Sequence, residues 1–391
     1  MIWKDYASGE GVLRAQKYQY ASNSRSILYK YIYSPVAQKC VDILPRTLAP
    51  NIITVIAFLF SFFPHVLIML HAGEDLTMDI PPWLCLISGL GQFLYMHFDN
   101  MDGKQARRIG AASPLGMLYD HGLDSVTGWI IGISLCHILK VGNSKYVFLA
   151  MVLSSMVCFY LTFWEQNYTG IFAMGVFSPV DEGTTMINIL EIMVFFVGPA
   201  FLDGPVFMDL TLGQTFVLFG SFFAIILAVG NLRTVFEKHP EKKQHALRNL
   251  ECLVLLCLAA VIVSFLSPTS IADRRVISLV YCFGLSFCKV IGHFQLAHCT
   301  REEFNPWRTN FVITMMAFIM NTVVGYFHGK CPIDEDLLLN GLIIMNLFCY
   351  LHYLICISRQ FSRVLNINIF SVPPPNEPTI NSVNHKVLKT K

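Results

Sequence analysis

Residues 98–125 read FDNMDGKQARRIGAASPLGMLYDHGLDS and join two apolar runs, 82–98 and 124–140. Asp99 and Asp102 are three apart where the first run ends, so on a helix they share one face; Asp120 and Asp124, four apart where the second begins, share another. A short turn around Ala111 to Pro114 would bring both pairs together at one membrane edge as an antiparallel helical hairpin. This hairpin sets the architecture, and the rest of the chain extends it. Stretches of about 17 to 25 apolar residues recur near 52–71, 82–98, 124–140, 146–164, 186–202, 211–230, 251–267, 276–297, 310–328 and 337–358. The expected fold is all-α, a polytopic integral membrane protein with about ten transmembrane helices.

Composition agrees with that expectation. The 391 residues are 54% hydrophobic and 14% charged, against about 25% charged in ordinary globular chains. A water-soluble chain of this length could not cover its surface with so few charges. A net charge of +2 gives no general basic field, so nucleic acid is not an expected partner. Most of the twelve Cys lie inside apolar runs without metal-ligand spacing and read as small hydrophobes. No signal peptide is expected.

Orientation follows from Lys and Arg in the connections. With the N-terminus inside, 22 of the 28 fall in cytosolic segments and 5 in the opposite loops, which places both termini and the acids in the cytosol. The sequon Asn167-Tyr168-Thr169 then lies on a cytosolic loop and reads as coincidental. Ser26 to Leu44 mixes apolar and charged residues around Pro35 and reads as an amphipathic interfacial helix, with a solvated loop as the alternative. The expected organisation is an N-terminal segment 1–51, catalytic helices 52–230, additional transmembrane helices 231–358 and a tail 359–391. The tail reads as disordered from Pro373-Pro374-Pro375 and its late lysines.

Four carboxylates converging would repel unless a cation were bound. Oxygen ligands without Cys favour Mg²⁺ or Mn²⁺, and four acids have room for two ions. Gly103, Ala106 and Gly116 are spaced between the acids and leave room for a ligand against the helix backbones. Lys104, Arg107 and Arg108 put positive charge beside that room, as a pyrophosphate would need. Asp and Arg simply pairing at a membrane boundary would explain one or two of the acids, but not four.

The order Asp99-x2-Asp102-Gly103-x2-Ala106-Arg107-x8-Gly116-x3-Asp120-x3-Asp124 resembles the signature of the CDP-alcohol phosphotransferase family. DGKQARR at 102–108 and DHGLDS at 120–125 resemble its eukaryotic cholinephosphotransferase and ethanolaminephosphotransferase branch. LAPNIITVI at 48–56, WEQNYTG at 164–170 and LAHCT at 296–300 extend the similarity along the chain. Phosphatidylinositol synthases and CDP-diacylglycerol transferases share the acids but are shorter.

The resemblance implies transfer of a phosphoaminoalcohol from CDP-choline or CDP-ethanolamine to diacylglycerol, releasing CMP, in the endoplasmic reticulum or Golgi, and it admits a homodimer. LHYLICISRQFS at 351–362 resembles ethanolamine-specific members, which tilts the expectation toward ethanolamine. Asp99, Asp102 and Asp120 would bind metal, with Asp124 completing a second site. Gly103, Ala106, Arg107 and Gly116 would line the nucleotide pocket. Asn51 would contact the nucleotide or serve as a helix N-cap. The hydroxyl proton of diacylglycerol would pass to His121, with Asp124, Glu165 and His298 as alternatives.

Glu165 and Glu182 could form an acidic rim for the ammonium group or be solvated charges. Trp164, Tyr168 and Tyr160 could give it cation–π contacts or be interfacial anchors. Lys289 and Glu191, each inside an apolar run, are expected to be functional or paired with one another. The alternatives to this activity are another CDP-alcohol transferase, such as an inositol-type enzyme, or a membrane transporter.

Overall fold

The computed structural model describes residues 3–176 and 178–372. Helix α1 (Gly9–Ala15) is capped by Ser8, whose hydroxyl accepts from Gly11. Strand β1 (Ser22–Ser24) follows, then a π-helical turn at Tyr29–Tyr33 that runs into α2 (Ser34–Ile43). Pro35 stands in the first turn of α2, where its missing N–H costs least, so the helix survives the proline. Next come α3 (Pro50–Ala72), α4 (Pro82–Ile109) and α5 (Pro114–Ile138). One rod is built from α6 (Lys145–Met151), a π-helical stretch Val152–Val157 and α7 (Cys158–Thr169).

Beyond it, β2 (Phe172–Met174) pairs in parallel with β1, and a π-helical turn at Pro179–Gly183 leads into α8 (Thr184–Val197). A small hairpin of β3 (Pro205–Phe207) and β4 (Leu210–Thr211) precedes α9 (Leu212–Lys238). The remainder is helical: α10 (Lys243–Asn249), α11 (Glu251–Leu266), α12 (Ile271–Arg274), α13 (Val276–Thr300), α14 (Thr309–His328) and α15 (Glu335–Leu365). Of the tail 359–391 expected to be disordered, residues 359–365 continue helix α15, and the proline-rich part from 373 onward lies outside the described residues.

Every expected apolar run coincides with a helix, but the count of ten crossings does not follow from the helices alone. Among the described residues, six helical rods are long and apolar enough to span: 50–72, 145–169, 212–238, 276–300, 309–328 and 335–365. A seventh passes only if α10 and α11, bent by 44°, count as one. The others fall short for physical reasons. α4 and α5 carry the polar residues of the site, and α8, with 14 residues, is about 21 Å long, under the roughly 30 Å of hydrocarbon.

Helix α13 is the central post: almost every residue from Val276 to Thr300 is buried. α5 lies against it, with Trp129 packed over Gly284 and Tyr350 of α15 donating to the Gly122 carbonyl (2.7 Å). α3 packs along both α4 and α5, whereas α4 and α5 make few contacts with each other, so the expected hairpin is open rather than closely packed. Gly91 permits the close α3–α4 crossing, because a Cβ there would run into the Phe60 carbonyl.

The expected partnership of Lys289 and Glu191 is not formed. Glu191 is fully buried in α8 and accepts twice from Gln92 of α4 (2.9 and 3.0 Å). The Lys289 ammonium instead lies over the ring of Tyr6, 6.0 Å from its centroid. Sequence position alone could not show that the two helices place these residues on different faces.

Candidate active site

The turn between α4 and α5 is built from its local sequence. Gly110 takes a left-handed conformation (φ 70°), and the Ala111 N–H returns to the Ala106 carbonyl at 2.9 Å, closing α4 in a Schellman arrangement. Ser113 then caps α5, accepting from Gly116 N–H at 3.1 Å, with Pro114 in the first turn.

With both helices so fixed, one carboxylate oxygen from each of Asp99, Asp120 and Asp124 falls within 4.8 Å of the others. All three are half-buried. Asp120 Oδ1 is buried and has no hydrogen-bond partner, although buried carboxylate oxygens are ordinarily satisfied. An oxygen donor set with an orphaned oxygen fits a hard divalent cation. Asp102, on the same face as Asp99, is more deeply buried and stands outside this trio, its Oδ2 accepting from the Thr54 hydroxyl of α3. Tyr95, one turn before Asp99, donates to Asp124 Oδ1 at 2.7 Å. Thr54 and Tyr95 escaped the sequence reading. Tyr95 carried the one available signal, being four residues ahead of Asp99 and so on its face.

The three cations of the connection separate into different tasks. Arg107 is exposed and lies across Gly103, where a Cβ would sit 3.4 Å from its Nη1. Lys104 donates to Ser34 at 3.0 Å. Arg108 is spent on the end of α2, donating to the carbonyls of Val41, Leu44 (2.8 Å) and Asp42 (2.9 Å), which completes that helix terminus. Gln105 similarly holds the α2–α3 loop through Pro45 and Leu48. Asn51 is not the N-cap of α3; Ala49 holds that position. Its Oδ1 faces Gly116, where a Cβ would come to 3.4 Å, and its Nδ2 donates to the Ile369 carbonyl at 2.9 Å. Ala106 is half-buried on the same stretch of α4.

His121 is buried, with Nε2 3.9 Å from Asp120 Oδ2. Its ring packs against Phe163 (4.8 Å), Tyr20 (5.4 Å) and Phe172 (6.0 Å). Tyr20 arrives from the N-terminal segment because β1 pairs with β2. Burial first, then the negative charges of Asp120, Asp124 and Asp99, hold its phenol far above the ordinary tyrosine pKa, so it faces the acids as a neutral group.

The other expected contributors lie elsewhere. Glu182 accepts from Ser26 Oγ (2.8 Å), Leu28 N–H (3.0 Å) and Ser178 N–H (2.6 Å), which makes it the pin of the N-terminal segment rather than a free rim. Burial alone would raise its pKa, but the Leu28, Ser178 and Ser26 hydrogen bonds outweigh this and hold it below the usual glutamate value. Glu165, half-buried on α7, meets the Asn231 amide of α9 at 2.9 Å. Trp164, Tyr160 and Tyr168 are buried clamps on the α10 region, hydrogen-bonded to Ala246, Asn249 and His245 respectively. They are not available to an ammonium group. His298 bonds Asn167 of the sequon at 2.9 Å.

Residues 47–226, which contain the four acids, Arg107 and His121, match the family model described as CDP-alcohol phosphatidyltransferase. Choline/ethanolaminephosphotransferase 2 of Arabidopsis thaliana is 27% identical over 389 residues, covering 94% of this chain and 98% of its own. Cholinephosphotransferase 1 of Danio rerio is 24% identical over 372 residues, covering 92% and 94%. That of Saccharomyces cerevisiae is 27% identical over 327 residues, covering 79% and 83%. With several apolar rods long enough to span, the chain is an integral membrane protein, and it is similar to proteins named as phosphotransferases. The relatives' names include choline alone and choline with ethanolamine, and at these identities they lend no support to the expected preference for ethanolamine.

Proposed function

We propose that this protein transfers the phosphoaminoalcohol of CDP-ethanolamine or CDP-choline to the free hydroxyl of diacylglycerol, giving the phospholipid and CMP. The observation that carries the reading is the meeting of Asp99, Asp120 and Asp124 within 4.8 Å, with one Asp120 oxygen unpartnered. Those three, with Asp102 adjoining, are the residues we assign to one or two Mg²⁺ or Mn²⁺ ions. Such ions would neutralise the pyrophosphate and the charge developing on departing CMP. A transport pathway would carry its acids toward the bilayer midplane, whereas here they close the end of α4 and open α5.

In this reading Arg107, swung across Gly103, pairs with a phosphate oxygen. Gly103, Ala106 and Gly116 let the nucleotide lie against the helix backbones, with the Asn51 amide beside Gly116 as a polar contact. His121 Nε2, facing Asp120, accepts the proton of the attacking hydroxyl, and its aromatic wall excludes water from that transfer. Asp124, tied to Tyr95, serves the metal rather than the proton. Charge distribution supports a cytosolic face for the site in the endoplasmic reticulum or Golgi, with the α2 helix lying on the cytosolic leaflet.

The deciding experiment gives purified protein both CDP-alcohols with diacylglycerol, with and without Mg²⁺ or Mn²⁺. Transfer with either head group supports the reading and reports the preference. Failure with both, in the presence of metal, removes it.

A further inference from the structure

Away from the acid cluster, three cations from three parts of the chain gather around one tyrosine. Tyr6 inserts its ring among α13 and α15, edge-on to His293 (5.0 Å) and Tyr353 (5.1 Å). The ammonium groups of Lys4 and Lys289 lie 5.3 and 6.0 Å from its centroid. Arg308, at the N-terminus of α14, stacks over Phe304, which packs edge-on against Phe294 of α13. Its charge acts on Lys289, His293 and Tyr6.

Among the described residues none of the three cations forms an ion pair, and Arg308 Nε is buried without a hydrogen-bond partner. The nearby acid, Asp5, is taken by Arg363 at 2.8 Å. Like charges drawn together beside apolar helices are unfavourable unless an anion joins them. The neighbouring face of α15 says which anion. Phe348 and Leu351 are 71% and 49% exposed there, an open apolar strip on which acyl chains can lie.

We propose that Lys4, Lys289 and Arg308 form a binding site for the phosphate of an anionic phospholipid, with its acyl chains along the exposed face of α15. Free phosphate shares the headgroup chemistry, but only a lipid uses the apolar strip. The site takes no part in the acid cluster's hydrogen bonds, so its occupancy is measurable whether or not the transfer reaction proposed above is correct.

The test uses the purified full-length protein in detergent, with lipid retention read by native mass spectrometry and by shift in thermal unfolding. Phosphatidic acid should be retained in preference to phosphatidylcholine. Lys289→Gln and Arg308→Gln should each lower its retention about fivefold, while Lys289→Arg and the remote Lys17→Gln should bind as the unaltered protein does. Should Lys289→Gln fail to fold, Arg308→Gln and Lys289→Arg carry the test. Equal retention of the two lipids, unchanged binding in the Gln variants, or stabilisation by inorganic phosphate equal to that by phosphatidic acid would each overturn the proposal.

Discussion

Tyr95 donates a 2.7 Å hydrogen bond to Asp124, linking α4 to α5 where the two helices otherwise touch little. A hydroxyl that orients a metal-binding carboxylate from behind is commonly worth 10- to 100-fold in metal affinity or activity. Tyr95→Phe is therefore expected to raise the Mg²⁺ concentration needed for half-maximal transfer by about that factor. Thr54→Val should act likewise through Asp102. A metal titration of purified variants checks both, and unchanged half-saturation would mean that neither hydroxyl orients its acid.

Replacing the acids themselves should be more severe. Asp99→Asn, Asp102→Asn and Asp120→Asn are each expected to abolish transfer while elution from a sizing column and thermal unfolding stay near those of the parent, because a charged ligand is lost and not a packed one. Chelation should silence the unaltered protein and added Mg²⁺ or Mn²⁺ restore it. Persistent turnover in excess chelator would refute the metal assignment.

For His121 the discriminating quantity is which kinetic constant moves. His121→Ala should cut kcat by about 10² to 10⁴, the usual worth of a general base, with KM for the CDP-alcohol little altered because Arg107 and the acids still hold the pyrophosphate. A raised KM with kcat preserved would return the proton to Asp124.

Glu182 gives a prediction with a definite pH sign. Its pKa is lower in the folded protein than in the unfolded chain, so its contribution is fully present above the ordinary glutamate range and fades as pH falls through the lower folded value. Limited proteolysis should therefore begin to cut near residues 19–28 as the medium is acidified below that range, and Glu182→Gln should be cut there already at neutral pH. Equal protection of parent and variant at neutral pH would show that the pin is dispensable.

Orientation is open to chemical labelling. A reporter cysteine at Ala111, in the turn between α4 and α5, should react in sealed microsomes without permeabilisation if the excess of Lys and Arg on its side of the membrane marks the cytosolic face. Reaction only after permeabilisation would reverse the topology.

The acids, the small residues between them and the turn at Gly110 were legible because each depends on spacing along one helix or on a residue with a special backbone preference. The tasks of Lys104, Arg107 and Arg108 were not, since the same charge type serves a ligand, a serine or a helix end according to what the fold places opposite. Arg108 meets the end of α2, and Gln105, one turn earlier, holds the loop that follows that helix. Glu182 and Trp164 were misjudged for a related reason: partners such as Leu28 and Ala246 lie 154 and 82 residues away, and local pattern carries no record of them. Spans interrupted by function, α4 and α5, were found by their apolar halves although their full helices are too polar to pass as crossings.

The clasp of β1 on β2 also fixes an order of events during synthesis. Tyr20 can close over His121 only after Phe172 has emerged to pair with Ser22, and the segment is pinned only once Glu182 exists. Residues 6 and 7 wait longer still, since both bond Gln360, 354 and 353 positions downstream. A ribosome still working through α15 therefore carries a chain whose strap is already clasped at β2 and Glu182 while residues 6 and 7 still hang loose. The segment made first is thus seated in two stages, its strap at Tyr20 before its outermost residues.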